Sequence, residues 1–159
     1  MRRLGRFLLL GLLLAACAPL EQTPPAYPPA QAGPGVLVLR DASGRILLNP
    51  SIGLPAPAGS LLLSQSYLGE ASKSRFRSPD SFDRVVLWLK RELLDLGWTI
   101  VEAEVKERPP AEYRARLLIR KGKQTREIRL RYQDGVFDLE VGDAPSARTR
   151  GRAAAMMKG

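Results

Sequence analysis

The stretch REIRLRYQDGVFDLEVG, residues 126–142, decides the fold of this chain because it predicts a β-hairpin with a fixed register. Apolar and polar residues alternate on both sides of Asp134 and Gly135, as they do in half-buried strands. An Asp-Gly pair favours a two-residue turn because both positions accept a positive φ. The register that follows pairs Gln133 with Val136, Tyr132 with Phe137 and Leu130 with Leu139.

The second face of this hairpin carries charges of opposite sign. In the same register, Arg131 meets Asp138 and Arg129 meets Glu140. Opposite charges across neighbouring strands contribute roughly 0.2 to 1 kcal/mol per pair. The sequence therefore predicts that one face of the hairpin is apolar and that the other is a charged face in solvent.

Two more alternating runs precede the hairpin, residues 98–105 and 113–121, so the pattern predicts a meander of four strands. Ahead of them, residues 78–97 predict the main helix, with Ser78 as N-cap, Pro79 as first helical residue and Gly97 as left-handed end. Its apolar stripe recurs at steps of three and four residues. The stripe consists of Phe82, Val85, Val86, Leu89, Leu93 and Leu96.

Four short β-prone runs lie before the helix. Residues 36–40 and 45–49 predict a hairpin, and residues 61–67 and 72–78 predict two strands separated by Gly69. The expected fold class is α+β: a two-layer sandwich in which one main helix packs on a twisted antiparallel sheet that ends in the four-strand meander.

Five arginines in the meander raise the question of anion binding. They are Arg114, Arg116, Arg120, Arg129 and Arg131. The favoured interpretation places them in the middle of the solvent face, neutralised from outer strands by Glu102, Glu104, Asp138 and Glu140, because exposed ion pairs of this kind are common. The alternative is an anion-binding groove formed by Arg114, Arg116, Arg129 and Arg131.

The N-terminus has the layout of a secretory signal. Arg2, Arg3 and Arg6 precede the apolar run FLLLGLLLAA at residues 7–16. A membrane-spanning helix needs about 20 apolar residues, and this run is half as long. We therefore expect residues 1–16 to be a signal peptide rather than a permanent anchor.

The end of this apolar run and the cysteine after it indicate which kind of signal peptide this is. Leu14, Ala15, Ala16 and Cys17 resemble the lipobox of bacterial lipoproteins, and Cys17 is the only cysteine of the chain. The resemblance implies that Cys17 carries acyl chains such as palmitate and becomes the first mature residue, held on a membrane. Ala18 stands where some lipoproteins carry an aspartate for inner-membrane retention. The expected location is the outer membrane where one exists, and otherwise the outer face of the cytoplasmic membrane.

Composition divides the exported part into three regions. Residues 17–35 contain the acylated cysteine and a proline-rich tether, residues 36–142 form the α+β domain, and residues 143–159 predict a basic disordered tail. Residues 54–142 also resemble small uncharacterised bacterial lipoproteins in which a helix ending in Gly-Trp precedes a β meander. That resemblance implies no activity.

The residue inventory limits the available chemistry. The chain has no histidine, and its single cysteine is assigned to lipid, which removes His-based acid–base catalysis and most zinc sites. We expect no catalytic residues, no metal and no cofactor. The net charge of +9 is concentrated partly at the two ends, so the mixed body does not have the signature of a nucleic-acid-binding protein.

Three functions agree with this sequence. The favoured one is a non-enzymatic, lipid-anchored envelope protein whose domain is a structural or protein-interaction module for an unidentified envelope protein. The second is a carrier that holds an apolar ligand between helix and sheet. The third is a binder of an anionic envelope polymer, through the arginine face and the basic tail.

Overall fold

A computed structural model describes residues 26–108 and 112–144, which form two β-sheets and one helix. In chain order the elements are β1 (Gln31–Ala32), β2 (Leu39–Arg40), β3 (Ile46–Asn49), β4 (Leu54–Pro55), β5 (Leu61–Leu68), β6 (Ala71–Arg77), α1 (Phe82–Asp95), β7 (Thr99–Arg108), β8 (Glu112–Lys121), β9 (Gln124–Gln133) and β10 (Val136–Asp143). The large sheet has the strand order β1-β5-β6-β10-β9-β8-β7, and the small sheet has the order β2-β3-β4.

The hairpin at the centre of the large sheet has the predicted register. Gln133 pairs with Val136 and Leu130 with Leu139. The turn residues Asp134 and Gly135 have φ values of 52° and 79°, so both adopt the left-handed conformation that the turn requires. The prediction from residues 126–142 is therefore confirmed at the level of individual residue pairs.

Helix α1 begins three residues later than predicted. Its N-cap is Ser81, and the hydroxyl of Ser78 instead accepts a hydrogen bond from the backbone N–H of Asp80. The C-terminal prediction is confirmed, because Gly97 has a φ of 79°. The predicted stripe faces the core, with five of its members buried: Phe82, Val85, Val86, Leu89 and Leu93.

The predicted fold class, a two-layer α+β sandwich, is wrong. Of the described residues, 54% lie in strands and 12% in helix, so the domain is mostly β. The large sheet is mixed rather than antiparallel, because β1 runs parallel to β5. A second sheet, β2-β3-β4, shares the core with α1, so the helix is not a complete layer by itself. Strands of two residues, such as β1 and β4, are too short to show any periodicity in a sequence.

One continuous core joins the two sheets and the helix. Phe76 and Phe137 stack at its centre with ring centroids 5.3 Å apart. The small sheet contributes Ile46, Leu48 and Leu54 to the same cluster. Burial of the apolar sides of β6, β8, β9 and β10 leaves their alternate side chains on the opposite surface of the large sheet.

The described part of the chain starts inside the segment that was expected to be a tether. Gln31 and Ala32 pair with Leu61 and Leu62, so the chain joins the sheet before residue 36. The signal peptide, Cys17 and the tail beyond residue 144 lie outside the described residues. Within those residues, no helix has the length and apolar character needed to cross a membrane.

Candidate functional site

The surface of the large sheet opposite the core, which we call the outer face, carries rows of charged side chains. One row crosses four strands through Asp138, Arg131, Arg114 and Lys106. The next row, two residues along each strand, consists of Glu140, Arg129, Arg116 and Glu104. In both rows the residues on the neighbouring strands β8 and β9 are arginines, so basic side chains lie next to one another there.

Like charges are placed in direct register on β8 and β9. Arg114 pairs with Arg131, and Arg116 pairs with Arg129. Lys106 extends the first row on the far side of Arg114, so three basic residues follow one another across three strands. Like charges directly opposite each other destabilise a sheet. The repulsion within this row therefore lowers the stability of the folded sheet.

A buried carboxylate compensates for one of these two arginine pairs. Glu127 is only 3% exposed, and its Oε1 accepts hydrogen bonds from Nε of Arg116 at 2.8 Å and from Nε of Arg129 at 2.7 Å. Burial raises the pKa of Glu127, but the hydrogen bonds and charges of Arg116 and Arg129 lower it by more, so the net pKa lies below its usual range. The same bond raises the pKa of Arg116.

Glu127 does not bridge the other arginine pair, Arg114 and Arg131. Asp138, the cross-strand neighbour of Arg131, forms its ion pair with Arg75 at 3.3 Å. Among the described residues, no carboxylate lies within 4.0 Å of the Arg131 guanidinium. Lys106 lies 2.8 Å from Glu104 on its own strand. Positive charge is thus in excess along the row that contains Arg131.

The basic residues line one concave site of about 230 Å³, which we call the arginine groove. Its walls are Glu104, Lys106, Arg114, Ala115, Arg116, Arg129, Leu130 and Arg131. Five of these eight side chains are cationic and one is a carboxylate. All four arginines of the anion-binding alternative therefore lie around a single groove, while Arg120 is on the outer face beyond it.

A larger recess of about 430 Å³ lies on the other side of Arg129. Its charged groups largely neutralise one another, because Lys73 lies 2.8 Å from Glu140 and Arg129 binds Glu127. The bond from Lys73 lowers the pKa of Glu140. The remaining charged group of the recess, Asp143, forms an ion pair with Arg126. Although the recess is larger, its charges are therefore already paired and do not select a ligand.

The sequence missed two residues of the site, Glu127 and Lys106. Glu127 lies two residues before Arg129, so the alternation of β9 already places it on the same face. Lys106 comes just after the run read as the first meander strand, which in the structure continues to Arg108. The predicted pairs of Arg131 with Asp138 and of Arg129 with Glu140 have the expected register, but β6 takes both carboxylates through Arg75 and Lys73.

Within the described ranges, no group of three or more acidic or sulfur-containing side chains is placed to hold a metal ion. Cys17, the predicted lipidation site, lies outside those ranges. Comparisons with models of protein families, with curated proteins and with solved structures found no match.

Proposed function

We propose that this chain is a lipid-anchored, non-enzymatic binding protein of the bacterial cell envelope, whose arginine groove binds an anionic polymer. The observation that carries the proposal is the groove itself, with five cationic side chains and one carboxylate around a concave site. The lipobox-like residues ending in Cys17 supply the expected location.

The physical argument concerns the like-charge pairs. Arginine guanidinium groups bind phosphate, sulfate and carboxylate oxygens through two parallel hydrogen bonds. An anion bound beside Arg131 would reduce the repulsion between Arg131 and Arg114. It would act on Arg131 as the carboxylate of Glu127 acts on Arg116 and Arg129.

A polymer fits this surface better than a single small anion. The groove is open to solvent, and a further arginine, Arg75, lies beyond it on the outer face beside Asp138. An extended chain of anions can contact several of these charges in sequence, and its affinity then grows with the number of counterions released.

The apolar-carrier alternative has less support. Leu89 of the helix and Leu117 and Ile119 of the sheet are fully buried in one packed cluster. The concave sites described above lie on the opposite surface of the sheet. The expected envelope protein partner stays a prediction.

The test is the binding of long-chain polyphosphate to the full chain, with poly-glutamate as a second polymer that distinguishes phosphate from carboxylate recognition. We expect Arg131→Ala to weaken binding about fivefold, the loss of one charged contact of roughly 1 kcal/mol. Arg120→Ala is the matched control, since it removes the same charge from the same face outside the groove. Equal affinities of both variants for both polymers would contradict the proposal.

A further inference from the structure

Strand β7, Thr99–Arg108, is the last strand of the large sheet, and no described strand pairs with its outer edge. At the opposite end of that sheet, β1 has only two residues. Along β7 the side chains from Val101 to Glu107 are all exposed, and Val101 and Val105 are 49% and 41% exposed. Alternate backbone N–H and C=O groups of such an edge point away from the sheet, where another strand can pair with them.

Natural edge strands avoid unwanted pairing with charges that repel a second copy. The charges of β7 do not have one sign. Glu102, Glu104 and Lys106 lie on the outer face, where two carboxylates are followed by one ammonium group. Two antiparallel copies can match this order of charges. The strand is therefore charged but self-complementary.

We propose that two copies of this chain associate through their β7 strands, antiparallel, around a two-fold axis at Val105. In this register Glu104 of each copy faces Lys106 of the other, which gives two ion pairs. Val105 meets its own counterpart at the axis, so an exposed apolar side chain becomes covered. The self-association does not depend on the proposed anion binding.

The charges exclude the neighbouring registers. Directly opposed residues of an antiparallel pair lie on the same face, so the axis must pass through a residue. An axis at Ala103 would place Glu102 against Glu104, and an axis at Glu104 or Lys106 would place that residue against itself. Val105 is the position in this part of the strand at which unlike charges meet.

The paired segment has natural ends. A bulge between Ile100 and Glu102 breaks the regular edge on one side. Beyond Arg108, Pro109 has no N–H to donate. A ladder of about seven residues, Glu102–Arg108, follows from these limits, and a contact of this size is expected to be reversible rather than permanent.

The pairing would join the two large sheets into one with both outer faces on the same side. The β8 strands of the two copies would then lie about 14 Å apart, three strand spacings. Each arginine groove, which includes Arg114 and Arg116 on β8, would flank the seam.

The first test is disulfide trapping in cells that export the full chain. Val105→Cys places two thiols across the axis, and Leu94→Cys, at a side chain that is 57% exposed on α1, is the control. We expect a dimer on non-reducing gels for Val105→Cys and not for Leu94→Cys. No dimer, equal dimer in both, or a product with a different protein would overturn the proposal.

The second test exchanges charges between two co-expressed, differently tagged copies. Glu104→Lys paired with itself, or Lys106→Glu paired with itself, should reduce co-purification at least about fivefold, because like charges then face each other twice. Glu104→Lys paired with Lys106→Glu should restore it to the level of the unchanged chain. The mixed pair also shows that both variants fold, and its failure to associate would overturn the proposed register.

Discussion

Arg116 and Arg129 lie directly opposite each other on β8 and β9, and both donate to the same carboxylate oxygen of Glu127. The bond lengths are 2.8 and 2.7 Å, and the carboxylate is almost completely buried. A single acidic residue thus allows two like charges to occupy facing positions. The neighbouring pair of Arg114 and Arg131 is not bridged by Glu127, which distinguishes a structural arginine pair from the candidate binding pair.

The first prediction concerns the stabilising effect of Glu127. We expect Glu127→Gln to lower the free energy of unfolding by about 1 to 3 kcal/mol at pH 7, because it removes the buried carboxylate that both Arg116 and Arg129 bind. Urea denaturation measures this change. The control is Glu102→Gln, whose half-exposed carboxylate lies 3.7 Å from Arg116 and should change stability by less than about 0.5 kcal/mol. Equal effects of the two substitutions would contradict the assigned role.

The second prediction is the pH dependence of that effect. The pKa of Glu127 in the folded protein lies below its ordinary value of 4.5, so the unfolded chain takes up the proton first as the pH falls. The stabilisation by Glu127 is therefore fully present above that ordinary value and is lost as the pH falls through the lowered pKa. Unfolding free energies of the unchanged chain and of Glu127→Gln should converge at acidic pH. A difference that stays constant from pH 7 to pH 3 would refute this explanation.

The third prediction isolates the backbone of the hairpin turn. Neither Gly135 nor Gly142 has an atom within 4 Å of the position that a Cβ would occupy, but only Gly135 has a positive φ, 79°. Gly135→Ala should therefore lower stability by about 1 to 2 kcal/mol, the cost of a left-handed alanine. Gly142→Ala should be neutral or slightly stabilising. Similar thermal midpoints for both variants would show that the turn geometry is not what fixes this hairpin.

These pairs of residues also show how far the sequence predicts the fold. Local patterns were sufficient for the hairpin, since Asp134 and Gly135 fix the turn and alternation fixes the faces. Local patterns were not sufficient for the pairing of β6 with β10, which brings Arg75 to Asp138 from a strand more than 60 residues away. No periodicity encodes such a contact. The fold class failed for the same reason, because β1 and the small sheet depend on long-range pairing of very short segments.

The site was partly predictable. Alternation places Arg129 and Arg131 on one face, and neighbouring strands bring Arg114 and Arg116 beside them. The sequence pattern predicts that Asp138 and Glu140 neutralise these arginines, because β10 is the last strand of the predicted meander and therefore an outer strand. In the structure β10 is interior, and β6 supplies the partners of both carboxylates. The excess positive charge of the groove therefore depends on the strand order, which the sequence patterns did not predict.

The fourth prediction addresses the lipid anchor. Cells grown with labelled palmitate should incorporate label into the unchanged chain and not into Cys17→Ser. The expected acyl chains attach to the cysteine sulfur and to the amino group that becomes free when the signal peptide is removed. Ser43→Ala, a substitution in an exposed turn of the folded domain, is a control that should remain labelled. Label in both the unchanged chain and Cys17→Ser, or in neither, would contradict the anchor.

The central claim is that the arginine groove binds a polyanion, and the salt dependence of polyphosphate binding tests it most directly. If four or five cations contact the polymer, the logarithm of the binding constant should fall with the logarithm of salt concentration with a slope of about −3. Arg131→Ala should make that slope shallower by about 0.7, and Arg120→Ala should leave it unchanged. A slope near zero for the unchanged chain, or the same slope for Arg131→Ala, would contradict the claim.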